Sequence, residues 1–246
     1  MPRTIPDDEA EFLRSYDPGA FERPSVAVDT VVLCVDDQRL KVVLSRRRDH
    51  PYLGAWALPG TFVRIDEPLE DAVVRSLSDK AGLRLDHLEQ LYTFGAPGRD
   101  PRLRVISVAW LAVVRPGNLP ALPDGVVLGD VHVGWEGEAG GPASASGPGG
   151  AGLPLAFDHA DILGTAVQRV RGKLGYTDLG FAFLAPTFTL RDVRLVWETL
   201  LGRALNKDSF RRTVLTRHPL IDTGERQSDV GHRPAALYRL ALEEEE

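Results

Sequence analysis

A single cysteine, Cys34, occurs in the 246 residues. No internal disulfide can form, and no cysteine-based zinc site can be assembled. Cys34 lies inside the apolar run from Thr30 to Val35, which makes it a core position. The chain also lacks any stretch approaching the roughly 20 uninterrupted apolar residues of a membrane helix. Its opening residues, MPRTIPDDEAEF, carry neither the basic nor the apolar segment of a secretory leader. The expected location is therefore the cytoplasm, with no membrane partner.

Net positive charge is missing as well. The total of -6 argues against nucleic acid, but screening confines each charge to about 10 Å, so distribution outweighs the sum. From Thr187 to Leu240, ten Lys and Arg stand against six Asp and Glu, while Glu243 to Glu246 alone contribute -4. Met1 to Pro186 carries the remaining -6. An acidic first part and a basic last part point to different partners.

The length suits one large domain or two modest ones, each with its own core. Residues 1–24, polar and interrupted by Pro2, Pro6, Pro18 and Pro24, read as an arm. VAVDTVVLCV and KVVLSRR are β-branched runs separated by DDQR, a hairpin pattern. GAWALPGTFV is a strand-loop, and a helical pattern runs from Glu67 to Ala81 and stops at Gly82. LEQLYTF and RVISVAWLAVV supply further strands. Residues 137–152 are almost wholly Gly, Ala, Ser and Pro, a composition that predicts a flexible loop because it buries too little apolar surface to offset ordering entropy. A helix from Asp158 to about Leu174 is expected to pack on the first domain. From about Gly175 the order is helix, turn, helix, two-stranded ribbon, which is that of a winged helix. The expected organisation is an arm (1–24), a first domain (25–175), a winged helix (176–242) and an acidic tail (243–246), in the α+β class.

The segment from Trp56 to Leu83, WALPGTFVRIDEPLEDAVVRSLSDKAGL, resembles the Nudix box. With Gly82 aligned to the final glycine of that box, Glu67, Arg75, Leu77 and Leu83 fall on matching positions without a gap. The resemblance implies an α/β/α sandwich. Nudix hydrolases place three glutamates at i, i+3 and i+4 of the box helix so that their carboxylates converge on Mg²⁺ or Mn²⁺. Ser76, Asp79 and Lys80 stand there instead, and Thr61 replaces the first glycine, with Gly60 beside it. One carboxylate survives, and an ammonium occupies a position that should attract a cation. The reading is accordingly a non-enzymatic domain with no metal and no resident cofactor. Glu67 and Arg75 can equally brace the loop-helix turn as an ion pair.

GAPGRDPRLRVISVAW sets Arg99, Asp100 and Arg102 before a strand. This pattern resembles the Nudix-related regulators of NAD metabolism and the hydrolases of ADP-ribose related to them. Arginine forks suit diphosphate and ribose oxygens, although the same residues can pair among themselves as a capped turn. Trp56, Phe62 and Tyr92 are able to stack on a ring or to fill the core. The expected effector-binding set is Arg46, Trp56, Phe62, Glu67, Arg99, Asp100 and Arg102.

Phe188 to Tyr238 resembles the DNA-binding half of the same NrtR-type regulators in its FTL start, a helix ending in LG, a helix containing FRR, and a GHRPAALY wing. Phe210, Val214 and Leu215 are expected to face inward. Thr189, which can cap the first helix of this unit, and Asn206, Lys207, Ser209, Arg211, Arg212, Arg226, His232 and Arg233, on or beside the recognition helix and wing, are the expected DNA-binding set. The resemblance implies a homodimeric repressor of NAD-metabolism genes that reads a palindromic double-stranded operator and senses ADP-ribose or NAD. A sugar-responsive regulator, a Nudix hydrolase of nucleoside diphosphate derivatives, and a protein-binding winged helix without DNA affinity are the alternatives.

Overall fold

A computed structural model of the chain describes residues 8–81, 83, 85–228 and 234–241. The arm contains one short helix, α1 (Glu9–Ser15), capped by Asp8 and burying none of its residues. The first domain then begins with β1 (Ser25–Asp36) and β2 (Arg39–Arg46), an antiparallel hairpin whose two turn residues, Asp37 and Gln38, both take positive φ (50° and 57°). That geometry matches the twist of the strands it joins. β3 (Trp56–Ala57) and β4 (Gly60–Phe62) flank a short loop leading to α2 (Leu69–Ala81). β5 (His87–Phe94), β6 (Val105–Val113) and β7 (Val126–Val133) follow, and α2 starts two residues later than the Glu67 expected.

The sheet runs in the order β5, β6, β1, β2, β7, then two short strands, β8 (Ala143–Ser146) and β9 (Gly152–Leu153). β3 pairs with β2 and β4 with β1. β1 and β6 are parallel neighbours and are buried through most of their length, as a strand covered on both faces requires. Side chains alternate: Val28, Val32, Val43, Trp110 and Ala112 meet Ala72, Val73 and Leu77 of α2 on one face. On the other face Val31, Leu33, Val42, Leu44 and Leu111 meet Ile162, Leu163, Ala166, Val167 and Val170 of α3 (His159–Lys173). Two helices thus sandwich the sheet, and Cys34 is fully buried. Truncating a fully buried Leu or Ile of this core to Ala costs about 2–5 kcal/mol.

The flexible loop expected at 137–152 is instead structured. β8 pairs with β7 from Ala143 to Ser146, and Ala143 and Ala145 are buried. Small residues are what this position demands, because the segment crosses α3 at close range. Composition predicted disorder from the absence of large apolar side chains. The missing volume is supplied from outside the segment, by α3 and by the Trp135 ring beside Gly141.

The second unit consists of α4 (Leu190–Leu201), α5 (Lys207–Arg217) and a two-stranded ribbon, β10 (Leu220–Arg226) with β11 (Ala236–Leu240). Thr189 and Asp192 form a capping box on α4, and Gly202 ends it with φ +69°. Asn206 caps α5. Phe188 and Tyr238 exchange backbone hydrogen bonds of 2.9 and 2.8 Å, fastening the ribbon to the start of α4. The helix, helix and ribbon form a winged helix. Its core of Phe181, Phe188, Val193, Trp197, Leu200 and Val214 is continuous with the α3 face of the sandwich, so the two units share one core where two separate ones were expected. Leu215 is 40% exposed and does not face inward, because one residue along a helix turns the side chain by about 100° from buried Val214. Among the described residues no helix is long and apolar enough to cross a membrane.

A Cβ at Gly164 would stand 1.9 Å from the Gly141 carbonyl oxygen, whereas one at Gly152 meets nothing within 4 Å. Gly164→Ala is expected to cost about 1–3 kcal/mol, lowering Tm by about 2–4 °C per kcal/mol in a chain of this size. Gly152→Ala should stay within about 0.5 kcal/mol. Equal melting temperatures by circular dichroism would mean that the Gly-rich segment does not rest on α3.

Candidate functional site

A cavity of about 220 Å³ opens where β1, β4, the 96–104 loop and the N-terminus of α3 converge. Its floor is a charged network. Arg99 donates from Nε and Nη2 to the Asp158 carboxylate at 2.8 and 2.7 Å, and from Nη2 to Asp29 at 3.3 Å. Ser107 Oγ donates to Asp29 at 2.6 Å. Burial opposes the Arg99 charge, but the Asp158 hydrogen bonds and the fields of Asp29 and Asp158 outweigh it and hold the pKa above the ordinary value. His159 is buried, and its Nδ1 accepts from the Leu58 amide at 3.0 Å while Nε2 faces Asp29 at 3.6 Å. Burial pushes its pKa down, so the ring is neutral with its proton on Nε2. Gly60 is required here for room, since a Cβ would lie 2.2 Å from Asp29 Oδ1.

The walls combine guanidinium groups with aromatic faces. Arg102 donates to Asp100 from Nε and Nη2 at 3.0 and 2.8 Å, which lowers the Asp100 pKa and raises that of Arg102. Its guanidinium lies 5.6 Å from the Phe62 ring centre and 6.0 Å from that of Phe157, and Arg47 lies 4.8 Å from Phe157 on its own side. Phe157 holds φ at +52°, an unusual conformation for a bulky residue, and its ring lies within reach of both arginines. A second cavity of about 380 Å³ adjoins the first across Arg47 and Ala57, which line both.

Of the residues expected to bind an effector, Phe62, Arg99, Asp100 and Arg102 line the first cavity. Arg46 does not. Successive residues at a strand end point to opposite sides, so Arg47 takes the place expected of Arg46, and Arg46 lines the second cavity with Asp79. Trp56 is half-buried against the main core, and Tyr92 is 59% exposed on β5, so neither ring lines the cavity. Glu67 is withdrawn into an ion pair: Arg75 donates to it at 2.6 and 2.7 Å, and the Arg64 amide at 3.0 Å. Phe157, Asp158 and His159 went unnoticed in the sequence. Their one signal there is the Phe-Asp-His run just before a helical pattern.

The box helix does not fit a divalent cation. Ser76 is buried, with a hydroxyl that has no partner among the described residues, Lys80 supplies no anionic donor, and Glu67 is committed to Arg75. Among the described residues no three His, Cys, Asp or Glu side chains gather in a metal-binding arrangement. Arg75 also donates to Thr61 Oγ1 at 3.2 Å and to the Phe62 carbonyl at 3.0 Å, so this arginine joins the box helix to the strand that bears the cavity residue Phe62.

On the winged helix a groove of about 680 Å³ lies between α4, α5 and the ribbon, lined by Arg191, Arg194, Lys207, Arg211 and Arg226 with Asp222 the only acid among its lining residues. Arg194 pairs with Glu198. Arg191, Lys207, Arg211 and Arg226, together with the exposed Arg212 on α5, form no salt bridge with any described residue. Cations left unpaired this close together repel one another unless an external polyanion joins them. Thr189, expected to reach DNA, is buried and spends its hydroxyl on the capping box with Asp192. Asn206 likewise caps α5, although it remains exposed. Ser209 turns to a different groove, between α5 and the end of α3. His232 and Arg233 lie outside the described residues. Arg191 and Arg194, which also line this groove, were not among the residues expected from the sequence, where Thr189 was the one position named at the start of α4.

Two family models match the chain: the NUDIX domain over residues 24–132 and the NrtR DNA-binding winged helix domain over residues 180–240. The ADPR responsive transcriptional repressor NtrR of Acinetobacter baylyi is 32% identical over 238 residues, covering 96% of this chain and 90% of that protein. Shewanella oneidensis NrtR, solved with a 27mer DNA, superposes with a TM-score of 0.71 at 33% identity, over 88% of this chain and 93% of its own. The NUDIX domain of the same Shewanella protein, solved with ADP ribose, gives a TM-score of 0.51 at 33% identity, over 66% of this chain and 99% of that one.

The hydrogen bonds from Arg75, reinforced by the Arg64 amide, hold the Glu67 pKa at about 2. Because the folded value is depressed, the pair's contribution to stability is complete above the unfolded pKa of 4.5 and is lost as pH falls from 4.5 toward 2. An NMR titration is expected to give a Glu67 midpoint near 2, and Arg75→Met should move it up toward the ordinary carboxylate range. A wild-type midpoint at 4 or above would mean that the pair does not exist in solution.

Proposed function

The chain belongs to the family of Nudix-related transcriptional regulators of the NrtR type. We propose that it is a repressor of NAD-metabolism genes whose DNA affinity is set by ADP-ribose, or a closely related nucleotide, bound in the Nudix domain. The observation that carries this reading is the joining, through one continuous core, of a cavity walled by arginines and aromatic rings to a groove of unpaired cations. The effector extends from the first cavity into the second across Arg47, placing a ring or ribose against Phe62 and Phe157 and a diphosphate within reach of Arg46, Arg47 and Arg102. Arginine forks neutralise that diphosphate where a hydrolase would use a metal ion. With Ser76 and Lys80 at two of the three metal positions, the bound nucleotide is held and not cleaved. Lys207, Arg211 and Arg212 enter or flank the major groove, and Arg191 and Arg226 contact the backbone. Two copies of the chain related by a twofold axis would read the two halves of a palindromic operator.

A thermal-shift series with ADP-ribose, NAD and free pentoses tests the effector. ADP-ribose at a hundred times its Kd should stabilise the protein by about 2.7 kcal/mol, and pentoses should leave Tm unchanged. A shift with a pentose alone would establish the sugar-responsive alternative, and Mg²⁺-dependent release of AMP would establish the hydrolase.

For the DNA surface, an Arg211→Ala/Arg212→Ala double variant should lose salt-dependent retention on random duplex. Its log K against log salt slope should fall by about 0.9 for each phosphate contact removed. Wild-type protein that is not retained even at low salt would leave the winged helix as a protein-binding module.

A further inference from the structure

The cavity and the winged helix are connected by one helix. At the start of α3, Asp158 holds Arg99 and His159 holds the Leu58 amide. Toward its end, about 20 Å along at 1.5 Å per residue, stands Arg171. This residue is 8% exposed, and no described carboxylate comes within ion-pair distance of it. It is held by main-chain carbonyls instead. Nε donates to Leu200 in the last turn of α4 at 2.9 Å, and Nη1 donates to Gly137 at 3.1 Å and Trp135 at 3.4 Å, with the guanidinium 4.8 Å from the centre of the Trp135 ring.

A buried cation without a counter-ion is costly unless hydrogen bonds and dipoles replace its hydration. Here the negative end of the α4 dipole and the ring face do so. Burial still pulls the Arg171 pKa down. Gly202, the left-handed residue that ends α4, closes over the guanidinium, since a Cβ there would stand 3.1 Å from Nη2. Beside this joint an open cavity of about 1080 Å³, lined among others by Leu40, Asp130 and Leu201, separates the sheet edge from α4. Arg171 is thus a polar joint between α3 and the last turn of α4, set beside the apolar core that the two units share.

We propose that Arg171 is the positioning residue through which α3 passes occupancy of the effector cavity to the winged helix. The proposal rests on the reading of the chain as an effector-responsive DNA binder. A planar guanidinium satisfies carbonyls on two elements at once only over a narrow range of their relative rotation. A ligand that moves the Asp158–His159 end of α3 therefore re-aims α4, and with it the cation groove. Arg171 touches neither the effector cavity nor the groove.

The test compares DNA Kd with and without saturating ADP-ribose, by fluorescence anisotropy on a duplex enriched from a random library by the wild-type protein. The ratio of the two values is the coupling factor, typically about 5–150 in regulated proteins. Arg171→Met is expected to bind ADP-ribose within about twofold of wild type by calorimetry while its coupling factor falls below about 2. Arg171→Lys keeps the charge but cannot reach carbonyls on both elements, so it should fail in the same way; restoration of coupling by lysine would overturn the geometric role. If Arg171→Met does not fold, Arg171→Lys and Trp135→Leu carry the test. Folded Arg171 variants that keep the wild-type coupling factor would overturn the proposal. A wild-type protein whose DNA affinity ignores ADP-ribose would instead refute the functional reading beneath it, and that arm is read before any variant is made.

Discussion

The structure depends first on one buried guanidinium shared between a buried carboxylate, Asp29, and a half-buried one, Asp158. Arg99 comes from a loop, Asp29 from the central strand β1, and Asp158 from the residue that opens α3. Three elements far apart in sequence are thereby fixed at one point, and the cavity is the space left around it. Removing one partner from such a buried arrangement costs about 3–5 kcal/mol, because the remaining charges lose their compensation. The network also explains a nearby apolar constraint. Asp29 occupies the space a side chain at position 60 would need, so glycine is the residue that fits there. The Nudix box is displaced at its first glycine by one residue, and Gly60 answers a packing demand in this protein.

The box helix illustrates how a catalytic framework persists without its chemistry. Glu67 and Arg75 keep the loop and helix in register through a tight ion pair, and Ala72, Val73 and Leu77 keep the helix seated on the sheet. None of these functions needs a metal. Ser76 and Lys80 place no carboxylate at two of the three acidic positions of the box, while the cavity walls come from β4, the Arg99–Arg102 loop and Phe157. The box helix and the cavity walls are therefore different elements of the chain.

The shared core gives the winged helix a fixed relation to the sandwich. Phe181, Trp197 and Leu200 extend the apolar face of α3 directly into the second unit. Two modules joined by a flexible linker would bind their ligands independently. Here the units share a common core with a polar joint at Arg171, and close-packed side chains resist gradual deformation. Such a contact is able to convert a small displacement at a cavity into a change of DNA-reading geometry.

The sequence by itself determined the elements and their order. β-branched runs, the hairpin turn, the box register, the Thr189 and Asn206 caps and the glycine after α4 are local features, and local features are written in local spacing. It also determined that Glu67 and Arg75 can pair and that Asp100 and Arg102 can close a turn. Tertiary structure decided what depends on non-local volume and direction. Within residues 137–152, Ala143–Ser146 became a strand because α3 supplied the apolar surface the segment's own composition lacks. Arg47 and not Arg46 lines the first cavity because successive side chains at the strand end point to opposite sides. Thr189 spends its hydroxyl on its own cap while still lining the groove of cations, and its helix adds Arg191 to that groove. Phe157, Asp158 and His159 gained their roles only when α3 was laid across β1, since residues separated by more than a hundred positions meet there through packing and not through any pattern in the chain.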